Sequence, residues 1–159
     1  MAKPTIVLVH GAWADGSSWN AVASELRSQS FNVFTPPNLL RGVPTDAPYV
    51  TSLLAQRTSG PVVLVGHSYG GFVITNAAVG GGDVRALVYV DAFVPDEGET
   101  VFQILGGSGS ALDVPDPTTV LDLVGYPGAP EGDVEAFLKP DTVHHSFAQD
   151  LSEKDRWLM

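Results

Sequence analysis

The sequence predicts an α/β fold with a mostly parallel sheet and flanking helices, and three observations carry that expectation. Four short apolar runs, at residues 5–9, 31–34, 62–65 and 86–90, read as buried strands. The stretches between them carry apolar residues at helical spacing. Strands alternating with helices at short intervals imply parallel βαβ units. The third observation is Gly66-His67-Ser68-Tyr69-Gly70-Gly71, which follows directly on Pro61-Val62-Val63-Leu64-Val65. It places a G-x-S-x-G pattern at a strand–turn–helix junction, where the serine is lifted above the strand end and only small neighbours fit.

The elements follow in order. Thr5-Ile6-Val7-Leu8-Val9 is a continuous apolar run ending at His10-Gly11-Ala12-Trp13. Ser17 or Ser18 is expected to cap a helix whose apolar face is Trp19, Val22, Ala23 and Leu26. The strand at 31–34 stops at Pro36-Pro37. Asp46 is expected to cap a helix carrying Val50, Leu53 and Leu54, with Gly60 ending it. After the serine motif a helix runs through Phe72, Ile74, Ala77 and Ala78 to Gly80-Gly81-Gly82, and the fourth strand follows. Beyond Pro95 the prolines recur, helical pieces are expected at 118–124 and 133–138, and no further strand is expected. Ser152 and Asp155 form a capping-box pattern, so the sequence closes on the start of a helix.

With 159 residues, 44% hydrophobic and 16% charged, the chain is globular and long enough for a sizeable core. A net charge of −10 argues against nucleic acid and anionic membranes as partners. Zero cysteines exclude disulfides, thiolate metal sites and a cysteine nucleophile, and fit a cytoplasmic protein. No run approaches the roughly 18 apolar residues of a membrane span.

The chemistry follows from the serine. A serine nucleophile needs a base, an acid behind that base, and two N–H donors for the oxyanion. One donor is normally the residue after the nucleophile, here Tyr69, and the other comes from the loop after the first strand, here His10-Gly11-Ala12-Trp13. The alternative is a plain tight-turn serine. Trp13 and Trp19 are candidates for a substrate pocket or for core. Among the four histidines, His10 supports the oxyanion loop and His67 points to the other side of the turn. His144 and His145 are base candidates or solvated surface. Asp91, at the end of the fourth strand, is a candidate acid or a turn cap. No spaced ligand set implies a metal, and no cofactor is implied.

Val9-His10-Gly11-Ala12-Trp13, the Gly66 to Gly71 motif, and Tyr89-Val90-Asp91-Ala92-Phe93-Val94-Pro95-Asp96-Glu97-Gly98-Glu99 together resemble the α/β-hydrolase superfamily. They are most similar to the small esterases grouped with plant methylesterases and hydroxynitrile lyases. The resemblance implies Ser68 as nucleophile, Ala12 and Tyr69 as oxyanion-hole amides, a core over 1–95, and a cap segment over 96–159. It also implies an acid and a histidine after later strands, in the order Ser, acid, His. No such segments are found, so the chain reads as the N-terminal part of such an enzyme, with acid and histidine expected beyond Met159.

The activity so implied is hydrolysis of small-molecule carboxylic esters through an acyl-enzyme, weak or absent in this chain alone. The alternatives are a hydroxynitrile-type C–C lyase and a non-catalytic small-molecule binding module. The strand at 87–90 would be interior in that family and is an edge here, which predicts self-association.

Overall fold

A computed structural model describes residues 3–156, with side chains described through residue 154. The chain divides into two compact units, Met1–Val101 and Phe102–Met159.

The first unit is a parallel sheet of β1 (Thr5–Val9), β2 (Asn32–Phe34), β3 (Pro61–Ser68) and β4 (Asp83–Ala92), in the order β2-β1-β3-β4. With α1 (Asn20–Ser28), α2 (Val43–Arg57) and α3 (Gly70–Ala77), it forms the expected α/β arrangement. β1 is buried at every position, and its alternation divides the core. Val7 and Val9 pack with Val50, Leu54, Val62, Leu64, Val73 and Ile74 from α2, β3 and α3. Ile6 and Leu8 point the other way, to Trp19, Ala23, Val33 and Val65. Each such side chain contributes about 1.5–3 kcal/mol on burial. Trp19 is therefore core rather than pocket.

Three expectations about helix ends are corrected. The Asp15 carboxylate accepts from the Ser17 N–H at 2.7 Å and caps a short 3-10 turn ahead of α1, so neither Ser17 nor Ser18 is the cap. Val22 is 43% exposed, which makes the buried stripe of α1 narrower than its pattern implies. Gly42, at φ +95, precedes α2. Asp46 is not the cap: it lies inside the first turn, fully buried, and its carboxylate reaches back to the Arg41 N–H ahead of the helix and across to Tyr69. α2 stops at Thr58, whose N–H and hydroxyl both donate to the Leu54 carbonyl (3.1 and 2.7 Å); Gly60 serves only the following turn.

β4 has ten residues against eight in β3. The ladder pairs Val62 with Val84 and Val63 with Ala86, then His67 with Val90 and Ser68 with Ala92. Arg85 and Asp91 are thus extra residues in two bulges. Among the described residues β4 has no strand on its outer side, so the expected edge is an edge.

The second unit overturns an expectation. Beyond a 3-10 turn that takes in residues 118 and 119, the expected helical pieces at 118–124 and 133–138 are strands: Leu121–Val124 (β5) and Glu135–Leu138 (β6) pair antiparallel, Leu121 with Leu138 and Val124 with Glu135. A segment of four residues is too short to hold itself as a helix, and pairing with the other segment satisfies its backbone instead. Asp116 caps a 3-10 turn over Pro117–Thr119 that ends before β5. The Gly- and Pro-rich run from Gly125 to Gly132 supplies the connection. The short α4 (Val101–Leu105), α5 (Pro140–Thr142) and α6 (Glu153–Arg156) complete the elements, and α6 begins directly after Ser152, as the capping pattern suggests. Among the described residues no helix is long and apolar enough to cross a membrane.

Candidate active site

Ser68 is the last residue of β3, and its backbone sits at φ +51, a left-handed conformation that non-glycine residues seldom adopt. The surrounding glycines are there for steric reasons. A Cβ on Gly66 would lie 2.6 Å from the Gly70 carbonyl oxygen, and one on Gly70 would lie 2.5 Å from that of Val9. A Cβ on Gly71 would lie 2.0 Å from the Phe93 carbonyl oxygen. The strand end, the helix start and two neighbouring strand ends thus meet at backbone distance. The Phe93 N–H also donates to the Ser68 carbonyl at 3.2 Å, locking the turn to the end of β4.

The loop after β1 reaches the same place. A Cβ on Gly11 would stand 2.7 Å from Ser68 Cβ and 3.2 Å from its Oγ. The two motifs, distant in sequence, therefore share one site. The conformation of that loop is held by buried His10. The Asn38 N–H donates to His10 Nε2 at 2.9 Å, so the ring proton resides on Nδ1 and is donated to the Gly11 carbonyl, also at 2.9 Å. Asn38 Nδ2 donates to the His10 carbonyl at 3.0 Å. Gly11 C=O and Ala12 N–H belong to one trans peptide, so they point in opposite directions. His10 thereby fixes where the Ala12 N–H points. Trp13 follows at φ +58, half-buried.

Tyr69 opens α3, and its phenol donates to Asp46 Oδ2 at 2.8 Å. Burial first, then Asp46, push the phenol pKa well above its usual 10.0. The Asp46 carboxylate also accepts from the Arg41 N–H (3.0 and 3.2 Å).

His67 faces away from Ser68, as alternation along a strand requires. Its ring meets Trp19 edge-on with centroids 6.4 Å apart. Burial lowers its pKa from 6.5, and the Asp91 carboxylate partly opposes this. Asp91 is an exposed bulge residue at φ +44. His144 and His145 lie in a π-helical turn, Val143–Phe147, of the second unit. Within the first unit neither histidine hydrogen-bonds the Ser68 hydroxyl. Among the described residues no group of three His, Asp or Glu side chains is arranged to hold a metal ion.

Two supporting residues escape sequence reasoning. Asn38 lies in a loop with no local pattern, and Asp46 carries an N-cap signal that masks its longer-range role. The Pro36-Pro37 pair ahead of Asn38 marks only a strand end.

The family model for the alpha/beta hydrolase family matches residues 6–159. The chain belongs to that family. It is 37% identical over 111 residues to a carbendazim hydrolyzing esterase of Nocardioides sp. (strain SG-4G), covering 62% of this chain and 46% of that protein. It is 31% identical over 122 residues to lipase LipV of Mycobacterium tuberculosis (strain ATCC 25618 / H37Rv), covering 70% and 46%. The chain therefore spans about half the length of these curated relatives. Among solved structures, an extracellular alpha/beta-hydrolase from a Paenibacillus species superposes with a TM-score of 0.60 at 30% identity, covering 66% of this chain and 47% of that one. Polyneuridine aldehyde esterase superposes over 99% of this chain and 66% of its own, with a TM-score of 0.73. At 20% identity, that last likeness speaks to the fold alone.

Proposed function

We propose that this chain carries the nucleophile and oxyanion half of a serine hydrolase acting on carboxylic esters of small molecules. Ser68 Oγ attacks the ester carbonyl carbon and the C–O bond to the alcohol breaks. Water then releases the acid from the acyl-serine. The Ala12 and Tyr69 amides bind the oxyanion, and Trp13 lies on the substrate side. The observation that supports this best is the pairing of a strained Ser68 (φ +51) with Gly11 packed against its Cβ. A tight-turn serine has no need of a glycine loop at its hydroxyl. Similarity to an esterase that hydrolyses carbendazim favours ester substrates.

The general base is then a histidine outside Met1–Val101. His10 has both ring nitrogens engaged, and His67 is turned to Trp19. No cofactor is required.

Labelling with a fluorophosphonate, followed by peptide mapping, is the test. The expected result is a single adduct at Ser68, lost in Ser68→Ala. Saturable binding of a small ester without any adduct would instead make the chain a binding module.

A further inference from the structure

The Tyr69 side chain does work that the motif does not require. The nucleophile-elbow pattern asks only for a backbone N–H at this position, and any residue supplies one. Here the residue is a tyrosine whose hydroxyl reaches across to another helix. Its partner, Asp46, is completely buried and belongs to the first turn of α2. A buried carboxylate is costly unless its oxygens are satisfied. Asp46 is satisfied by the Arg41 N–H, by Tyr69 and by its place near a helix N-terminus. We propose that Asp46 is a positioning residue: through the Tyr69 phenol it holds the Ser68–Tyr69 peptide so that the Tyr69 N–H meets an oxyanion formed at Ser68.

The geometry leaves Tyr69 little freedom. Its carbonyl accepts from the Phe72 and Val73 N–H groups, at 3.0 and 3.4 Å, which pins its C-terminal side to α3. Its N-terminal side follows the strained Ser68. The side chain is the third anchor, and a hydrogen bond to a charged acceptor is roughly twice as strong as a neutral one. Asp46 is itself fixed by its own N–H, which donates to the Gly42 carbonyl at 2.9 Å. The start of α2 thus braces one oxyanion amide from behind, as His10 and Asn38 brace the other.

This inference rests on the reading of Ser68 as nucleophile, and the experiment separates the two. The full chain is labelled with a fluorophosphonate, and the second-order rate and the phosphorus NMR shift of the Ser68 adduct are recorded. Loss of a whole oxyanion donor costs about 10²–10³ in rate, so loosening one is expected to cost about tenfold. Tyr69→Phe and Asp46→Leu are expected to show that loss and a displaced phosphorus resonance. Asp46→Asn is expected to recover most of the rate, because its amide can donate to the Tyr69 oxygen while its carbonyl accepts from Arg41. Should Asp46→Leu fail to fold, Tyr69→Phe, which removes one hydroxyl, still decides. Wild-type rate and resonance in Tyr69→Phe, or an Asp46→Asn as slow as Tyr69→Phe, overturns the bracing role and leaves the nucleophile standing. A wild-type chain that never labels overturns both.

Discussion

β3 and β4 are neighbours with the same kind of sequence, and they live in different surroundings. Both are rich in valine and leucine, and both read as buried strands. In β3, Val62 and Leu64 are fully buried and Val65 is 8% exposed. In β4, Val88 and Val90 are 42% and 41% exposed. The sharpest contrast is a single ladder pair, Val65 with Val88, on one face of the sheet. Trp19 and Ala23 cover the first. Among the described residues of the first unit, no cluster covers the second. An apolar run therefore reports that a segment is a strand, and cover is decided by what else the chain brings to that face.

The largest effect is expected from truncating the covered strand. Leu64→Ala should cost about 2–5 kcal/mol, because it removes a fully buried side chain and leaves a cavity. Val88→Ala should cost under about 1 kcal/mol. Chemical denaturation of both variants checks the difference, and equal losses would mean that β4 is covered in solution.

A smaller effect is expected where the two strands meet in charge. His67 at the end of β3 has its pKa lowered by burial, with Asp91 of β4 opposing. The unfolded chain then binds a proton more readily than the folded one as pH falls below 6.5. Stability is thus present above that pH and declines below it. Thermal melts should show a shallower acid decline in His67→Gln and a steeper one in Asp91→Asn. A wild-type melting temperature that rises on acidification through this range would contradict the assignment.

The smallest effect on folding, and a visible one on association, is expected at the open edge. Val88→Lys should change stability by no more than about 0.5 kcal/mol while shifting sedimentation toward the monomer. A monomeric wild type would remove the expectation of self-association.

Legibility in the sequence followed steric necessity. β1 was readable because both its faces are buried, so four apolar residues follow Thr5 without a break. The elbow was readable because Gly66, Gly70 and Gly71 each meet backbone atoms that no side chain could replace. Gly11 was legible as a close-approach residue for the same reason. The β5–β6 pair was missed because strands of four residues carry too few alternations to outweigh a helical count. The cap positions near Ser17 and Asp46 were misread because several polar residues in each turn were eligible, and tertiary partners chose among them. Asn38 and the Tyr69–Asp46 contact were invisible because local patterns do not say which distant segments meet.

The two bulges of β4 each absorb one residue locally, and neither depends on the other. Between them, Leu87 and Tyr89 face the α3 side and Val88 and Val90 face the other. Arg85 breaks the alternation once and Asp91 breaks it again, so Val84 and Ala92, outside the pair, return to the face of Leu87. A descendant that deleted both extra residues would keep every side chain on its present face. One that deleted only Arg85 or only Asp91 would do the same, because the residues flanking each bulge already lie on opposite faces. The length of β4 can therefore change by one residue at either bulge, whereas a deletion among residues 86–90 would turn neighbouring side chains inside out.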